Sequence, residues 1–335
     1  MNFDKYKNNG LTGLSNLGNT CFINSAIQCL SHSYELNDYL NSGEYKKYMN
    51  KKVDTILLKE YDELRKLMWS ENCRISPEKF VDIIRKIAKI KRKDLFTGWA
   101  QNDLPEFLYF LFECFHEGTC REVEMEIKGK IENNEDELAK TCYEMMKRMY
   151  TKEYSDILKI FYGISVTNCE TIVKNNKTEE NNIAEPFLMI DLPIVNKETI
   201  TLKDCLDDYT KKEEIEIDEN NKKIKKTLYW SFPNIMIISL KRFNDNLKKN
   251  NVLVNYPIDN LDMSEYVCGY NRNSYKYELF GICNHTGNVN GGHYFSYIKN
   301  ANGKWYKMND LEVKEINNKD IVTNMGYCLF YRKKK

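Results

Sequence analysis

The spacing of apolar residues changes character once along this 335-residue chain, and that change limits the folds open to it. Up to about residue 118 the period is helical. Ile23, Ala26, Ile27 and Leu30 fall at i, i+3, i+4 and i+7, one buried face of a helix that follows Cys21. A second helix is predicted to open at Ser76-Pro77-Glu78, with Ser76 as N-cap and Pro77 in the first turn, where its missing N–H costs nothing. Its stripe is Phe80, Ile83, Ile84 and Ile87. A third runs from Asp103, where Asp103-x-x-Glu106 reads as a capping box, with Leu104, Phe107, Leu108, Leu111, Phe112 and Phe115 facing inward.

Residues 119–156 are charged and partly helical, and from Ile157 the texture becomes that of strands. Short apolar or β-branched runs bounded by Asn, Gly and Pro predict strands at 160–164, 187–191, 234–243 and 275–283. The polar stretch 211–226 alternates Ile215, Ile217 and Ile224 around an Asp-Glu-Asn-Asn turn, a solvated hairpin. Helices gathered first and strands afterwards describe an α+β fold.

Composition narrows the function. Fifty Lys+Arg against forty-nine Asp+Glu leave a net charge of +1, so no overall field favours nucleic acid or an anionic membrane. The longest aliphatic run, Ile235-Met236-Ile237-Ile238, falls far short of the roughly 20 residues that span a bilayer. The N-terminal MNFDKYKNNG has no apolar core of a secretory signal. A soluble intracellular chain, cytoplasmic or nuclear and monomeric, is expected. Its eleven cysteines are odd in number and contain no CxxC pair, which argues against both a disulfide framework and a thiolate zinc site. No metal or cofactor is expected.

Most of these cysteines read as small buried hydrophobes, but Cys21 stands apart. Asn16-Leu17-Gly18-Asn19-Thr20-Cys21 runs straight into the apolar-periodic FINSAIQCL. A thiol in the first turn of a helix meets unpaired N–H groups and the positive end of the macrodipole, which lower its pKa. Asn19 or Thr20 can cap that helix, Gly18 lets the loop pass close to a substrate, and the Asn16 amide can donate to an oxyanion.

The imidazole to pair with this thiol comes from four histidines. His293 to Lys299 alternates, Asn300 to Gly303 is a turn, and Lys304 to Met308 returns. A turn centred on Ala301 sets His293 opposite Asn309; one centred half a residue later sets it opposite Asp310. Either partner can accept from one ring nitrogen and leave the other as base. Gly291 and Gly292 clear space for a ligand beside it. His285 lies at a strand end before Thr286–Gly292, a loop long enough to act as a lid, and reads as a supporting residue.

These residues resemble a known family. GLSNLGNTCFINSAIQCL (13–30) is similar to the cysteine box of the ubiquitin-specific proteases, papain-like cysteine deubiquitinases, and GGHYFSYIKNANGKWYKMND (291–310) to their histidine box. Between them, Gln101-Asn-Asp103-Leu-Pro-Glu106 resembles the glutamine-aspartate motif and Leu240-Lys241-Arg242-Phe243 the leucine-lysine-arginine-phenylalanine strand. Tyr256-Pro257 followed by Leu261 to Tyr266 also fits.

The resemblance implies a single catalytic domain over 1–335 with a hand-like architecture. Residues 1–118 would form a helical thumb and 119–335 an antiparallel β palm and fingers, with fingertips near 165–182 and 211–230. It implies Cys21 as nucleophile, His293 as base, Asn309 as third member, Asn16 as oxyanion donor and Asp310 as an accessory polar residue. The substrate-facing set is Gln101, Asp103, Glu106, Gly291, Gly292 and Tyr294. The implied reaction is hydrolysis of the isopeptide or peptide bond after the C-terminal glycine of ubiquitin, through a thioester on Cys21, on ubiquitin and ubiquitinated proteins. Two other readings are a protease for another ubiquitin-like modifier and a ubiquitin-binding module without catalysis. Many family members clamp zinc with two CxxC pairs at the fingertips; here only Cys169 falls near the first and none near the second.

Overall fold

A computed structural model describes residues 3–98, 100–173, 176–218, 221–288 and 291–334. An eight-stranded sheet organises it. From one edge the strands run Glu312–Ile316, Trp305–Asn309, Gly291–Lys299, Lys276–Asn288, Gly326–Lys333, Ile235–Lys241 and Met189–Pro193, and the short Leu261–Asp262 also pairs with Lys276–Asn288. Neighbours are antiparallel except at the last position, where Met189–Pro193 lies parallel to Ile235–Lys241. The palm was expected to be antiparallel, and its sheet is so apart from this one pair. Between those two strands the chain travels through helix Leu202–Thr210 and a long hairpin, and such a crossover is what lets parallel strands become neighbours.

Both faces of the sheet are covered. Ile235, Ile237, Phe280, Cys283 and Phe330 pack with the thumb helices. Met236, Ile238, Leu240, Ile282, Leu329 and Tyr331 pack on the other side with Leu202, Cys205 and Leu206. Burial on two sides is why 235–240 reads as one continuous apolar run. Along Lys276–Asn288 the register against Gly326–Lys333 shifts between Leu279 and Gly281. That bulge at Phe280 reverses the alternation, so Tyr277 and Leu279 face one core while Phe280 and Cys283 face the other.

Helix Cys21–Ser31 is buried along its whole length, where one apolar face was expected. It is clasped between the sheet and the thumb: Cys29 Sγ lies 3.5 Å from Cys283 Sγ, and Phe22 meets Phe107 edge-on at 5.3 Å. Helices Tyr34–Ser42, Asp54–Ser70, Glu78–Ile90 and Leu104–Glu117 complete the lobe. Two of its helix starts differ from expectation. Pro77, not Ser76, is the N-cap of Glu78–Ile90, and the Ser76 hydroxyl donates to the Glu78 carboxylate at 3.1 Å. Asp103 is the N-cap of Leu104–Glu117 but closes no capping box, because its Oδ1 accepts the Tyr327 and Tyr294 hydroxyls at 2.7 and 3.4 Å.

The fingers are a separate four-stranded sheet in the order Asn176–Phe187, Gly163–Val173, Asn221–Ser231, Glu213–Asp218. Helix Asn134–Tyr150 lays Ala139, Cys142 and Met145 against Ile164, Val166 and Trp230, giving this lobe its own small core. The first strand begins at Gly163 rather than Ile160, because Ile160 and Phe161 end helix Asp156–Phe161, where Phe161 packs on Phe112 at 4.5 Å. Cys169 lies mid-strand between Asn181 and Lys225. Positions 174–175 and 219–220 of the expected fingertips lie outside the described residues.

Candidate active site

The chain enters the site through Gly13–Leu14, which pairs with Arg74–Ile75, and Leu14 N–H donates to the Asp310 carbonyl at 2.8 Å. Gly18 then takes φ +88° and Asn19 φ +54°, a tight left-handed turn that ordinary side chains at 18 would oppose. The Asn16 Oδ1 fills the inside of this turn, accepting from Gly18 N–H, Thr20 N–H and the Thr20 hydroxyl at 3.1, 3.1 and 3.3 Å. With its oxygen held there, the Asn16 amide nitrogen faces Asp310 Oδ2 at 3.1 Å. Thr20 is the N-cap residue, but its hydroxyl accepts from Leu17 N–H at 2.8 Å instead of capping.

Cys21 begins the helix and is buried. Burial pushes its thiol above the ordinary cysteine range and the Asp310 carboxylate adds to this, outweighing the N–H groups of Tyr294, Phe22 and Cys21 itself that favour thiolate. A lowered value was expected from the helix start; desolvation wins because the helix is enclosed. The resting group is therefore a thiol. Its Tyr294 N–H partner follows His293 directly, so the two ends of the chain meet at the start of this helix.

His293 Nε2 lies 2.6 Å from Asn309 Oδ1. Set against a carbonyl oxygen, Nε2 carries the hydrogen and Nδ1 is the basic nitrogen. The hairpin register differs from both alternatives. Ser296 pairs with Met308 and Lys299 with Trp305, which centres the turn on Asn302. Asn309 is thus a diagonal neighbour of His293 on the same face, within reach of its ring. Asp310 adopts φ +50° and turns away from His293, its Oδ1 accepting from Asn24 at 2.8 Å and its Oδ2 from Asn16.

The stretch expected as a lid carries the hairpin onward: Thr286 pairs with His293, Gly287 with Gly292 and Asn288 with Gly291, while 289 and 290 lie outside the described residues. His285 is inside strand Lys276–Asn288, buried, its ring 4.5 Å from that of Tyr294. Burial first, then the Lys249 and His293 charges, push it down to about 4. A Cβ on Gly292 would come 2.2 Å from His285 Nε2, so this glycine makes room for a histidine of the scaffold. Gly291 has open space around its Cβ position.

Gln101 holds the same peptide from the thumb. Its Nε2 donates to Gly292 O at 2.8 Å and its Oε1 accepts from Gly292 N–H at 2.9 Å. Beyond it runs a cleft of about 470 Å³ between thumb and palm, lined by Asp103, Glu106, Asp191, Arg242, Tyr294 and Tyr327 among others. Burial raises Asp103, with Glu106 adding to it, against the lowering hydroxyls of Tyr327 and Tyr294. Glu106 is exposed at the rim. The sequence reading missed Tyr327, whose partner is 224 residues away, and Asn24, a polar residue inside an apolar helix stripe. Among the described residues, His116, Glu117 and Glu153 are grouped closely enough to hold a metal ion; they sit away from this cleft, and Lys52 already pairs with Glu117. No helix among the described residues is long and apolar enough to cross a membrane.

The model of the family described as ubiquitin carboxyl-terminal hydrolase matches residues 12–331. Human ubiquitin carboxyl-terminal hydrolase 2 is 32% identical over 96% of this chain, and the match takes in 55% of the human protein. A probable ubiquitin carboxyl-terminal hydrolase, R319, of Acanthamoeba polyphaga mimivirus is 28% identical over 96% of this chain and 90% of its own length. This chain thus spans about half the length of its human relative. Among solved structures, the SAGA Ubp8/Sgf11/Sus1/Sgf73 DUB module bound to ubiquitin aldehyde matches with a TM-score of 0.73 and 23% identity, over 98% of this chain and 71% of that one. At that identity the likeness concerns the fold, which is the α+β hand of these enzymes.

Proposed function

Since this chain belongs to the ubiquitin carboxyl-terminal hydrolase family, we propose that it is a thiol-dependent deubiquitinase acting on ubiquitin and ubiquitinated proteins. On this reading residues 1–118 are the thumb and 119–335 the palm and fingers. The ubiquitin tail enters the cleft beside Asp103, Glu106 and Tyr294 and passes Gly291 to reach Cys21. The names of the similar proteins and the match over residues 12–331 support the substrate class.

Chemistry follows from the groups present. His293 Nδ1 takes the Cys21 proton as sulfur attacks the carbonyl carbon of the terminal glycine. The oxyanion receives an N–H from the Asn16 amide, one of whose hydrogens Asp310 already holds, together with backbone N–H at the helix start. The tetrahedral intermediate expels the lysine amine, which leaves with the proton from His293, and a thioester remains on Cys21. Water, deprotonated by His293, then releases ubiquitin. Asn309 orients the ring as an aspartate would, without adding negative charge beside it. Because burial favours the thiol at Cys21, His293 must accept its proton for the sulfur to react.

The observation that carries this reading is the 2.6 Å contact between His293 and Asn309, next to an Asp310 that Asn16 and Asn24, on either side of Cys21, both hold. It is tested with ubiquitin bearing a C-terminal thiol-reactive warhead, next to the same probe built on related modifiers. An adduct on the wild type with ubiquitin alone, lost in Cys21→Ala, supports it. Binding without an adduct, or adducts only with another modifier, overturns it. The proposed enzyme is an intracellular monomer, cytoplasmic or nuclear.

A further inference from the structure

Asn24 lies one helical turn beyond Cys21 and is buried at 3% exposure. A polar amide at such a position costs stability unless its hydrogen bonds are made. Its Nδ2 has three acceptors in reach: Asp310 Oδ1 at 2.8 Å, Ser15 O at 3.2 Å and Leu14 O at 3.3 Å. Its own Oδ1 takes no hydrogen bond among the described residues, so the side chain is held through its donor alone.

The three acceptors have one thing in common. Leu14 and Ser15 are the two residues leading into Asn16, and Asp310 is the group that holds the Asn16 amide nitrogen through its other oxygen, at 3.1 Å. One amide therefore fixes both the backbone that delivers Asn16 and the carboxylate that aims it. Asp310 needs this support, since it sits at φ +50°, a conformation disfavoured for a residue with a Cβ, and its carbonyl is also tied to Leu14 N–H. Because Asn24 and Cys21 are on the same helix, the nucleophile and the oxyanion donor are referred to a single rigid element.

We propose that Asn24 is a positioning residue of the active site, acting through Asp310 on Asn16 to hold the oxyanion donor at a set distance from the Cys21 sulfur. The proposal rests on the deubiquitinase reading above. Asn24 makes no contact with substrate. Without it the Asp310 carboxylate is free to rotate, and the Asn16 amide follows.

A double-mutant cycle on ubiquitin carrying a fluorogenic C-terminal amide tests this. Asn16→Ala is expected to lower kcat about 100-fold, and Asn24→Ala about 10-fold by displacing that donor. The double variant is expected to match Asn16→Ala alone, with KM and ubiquitin affinity in a Cys21→Ala background unchanged throughout. Losses that multiply in the double variant would overturn the proposal, because a general structural defect does not depend on Asn16. If Asn24→Ala does not fold, Asn24→Ser, which fills part of the space, reads the same cycle. A second measurement is independent of turnover: the Asn16 side-chain amide protons, followed by NMR, should be slow to exchange in the wild type and fast in the Asn24 variant. Equal exchange in both also overturns the proposal. A wild type that fails to cleave the ubiquitin amide counts against the deubiquitinase reading, while the exchange measurement still decides the role of Asn24.

Discussion

His293 and Asn309 make a 2.6 Å side-chain contact although the ladder between their strands runs two residues out of step with them. The contact is diagonal, so it depends on side-chain length as well as on the turn. Asn309→Ala is expected to reduce kcat by about 10² to 10⁴, the range in which a misoriented imidazole falls, while ubiquitin affinity stays within about twofold. Steady-state kinetics beside a binding titration separate the two. Undiminished turnover would mean that the ring is oriented by something other than this amide.

Neighbouring glycines should behave differently. Gly292→Ala places a methyl 2.2 Å from His285 Nε2, and the two cannot coexist without displacing a buried ring. A loss of about 1–3 kcal/mol in unfolding free energy is expected. Gly291→Ala meets open space and should leave the thermal midpoint unchanged. If the ubiquitin tail passes Gly291, that variant raises KM; unaltered kinetics would remove Gly291 from the substrate path.

Gln101 both gives and takes a hydrogen bond with Gly292, the residue before His293. Gln101→Ala loses both, worth about 1–3 kcal/mol together to the local closure. Gln101→Glu does worse, because it sets a carboxylate oxygen against the Gly292 carbonyl. The expected order of kcat/KM is Gln, then Ala, then Glu. A glutamate variant as active as wild type would show that the contact is dispensable.

Burial raises the Cys21 thiol in the ligand-free enzyme. Its alkylation by iodoacetamide should accordingly be slow at pH 7 and keep climbing as pH passes the ordinary cysteine value near 8.5. A rate that levels off below pH 8 would indicate a preformed thiolate, contrary to this structure.

His32 is fully enclosed and is pushed down to about 4 by burial, with Arg332 as a lesser cause. The unfolded chain binds its proton near pH 6.5, so between 6.5 and 4 the unfolded state holds more protons than the native one. Stability from this group is therefore complete above pH 6.5 and is lost as pH falls toward 4. Urea unfolding should show the wild type losing about 2 kcal/mol more between pH 7 and pH 5 than His32→Gln. Parallel curves would exclude His32 as the source.

Much of this was legible in the letters, because each motif keeps its chemistry within a few residues. The Cys21 helix, the His293 hairpin and the solvated hairpin near 213–226 all depend on local periodicity and turn residues. What escaped was decided by partners far along the chain. Asn300 accepts from Asn8 N–H at 3.0 Å and donates to the Asn9 carbonyl at 2.8 Å, and this N-terminal anchoring accompanies the longer turn and its shifted register. The Asp103 capping box was pre-empted by Tyr327, and the Cys21 thiol was raised by an enclosure that no local window displays. Asn24 offered a signal, a carboxamide amid FINSAIQCL, but its meaning needed Asp310 beside it.

The bulge at Phe280 makes the palm tolerant of a lost residue just there, because Leu279 and Gly281 already pair with consecutive residues, Tyr331 and Phe330. Deleting Phe280 would restore strict alternation and leave Cys283, which touches the catalytic helix, facing the core it faces now. A homologous protein that loses a residue between the bulge and Cys283 instead turns its downstream side chains to the opposite core, and with them the seat on which its nucleophile rests.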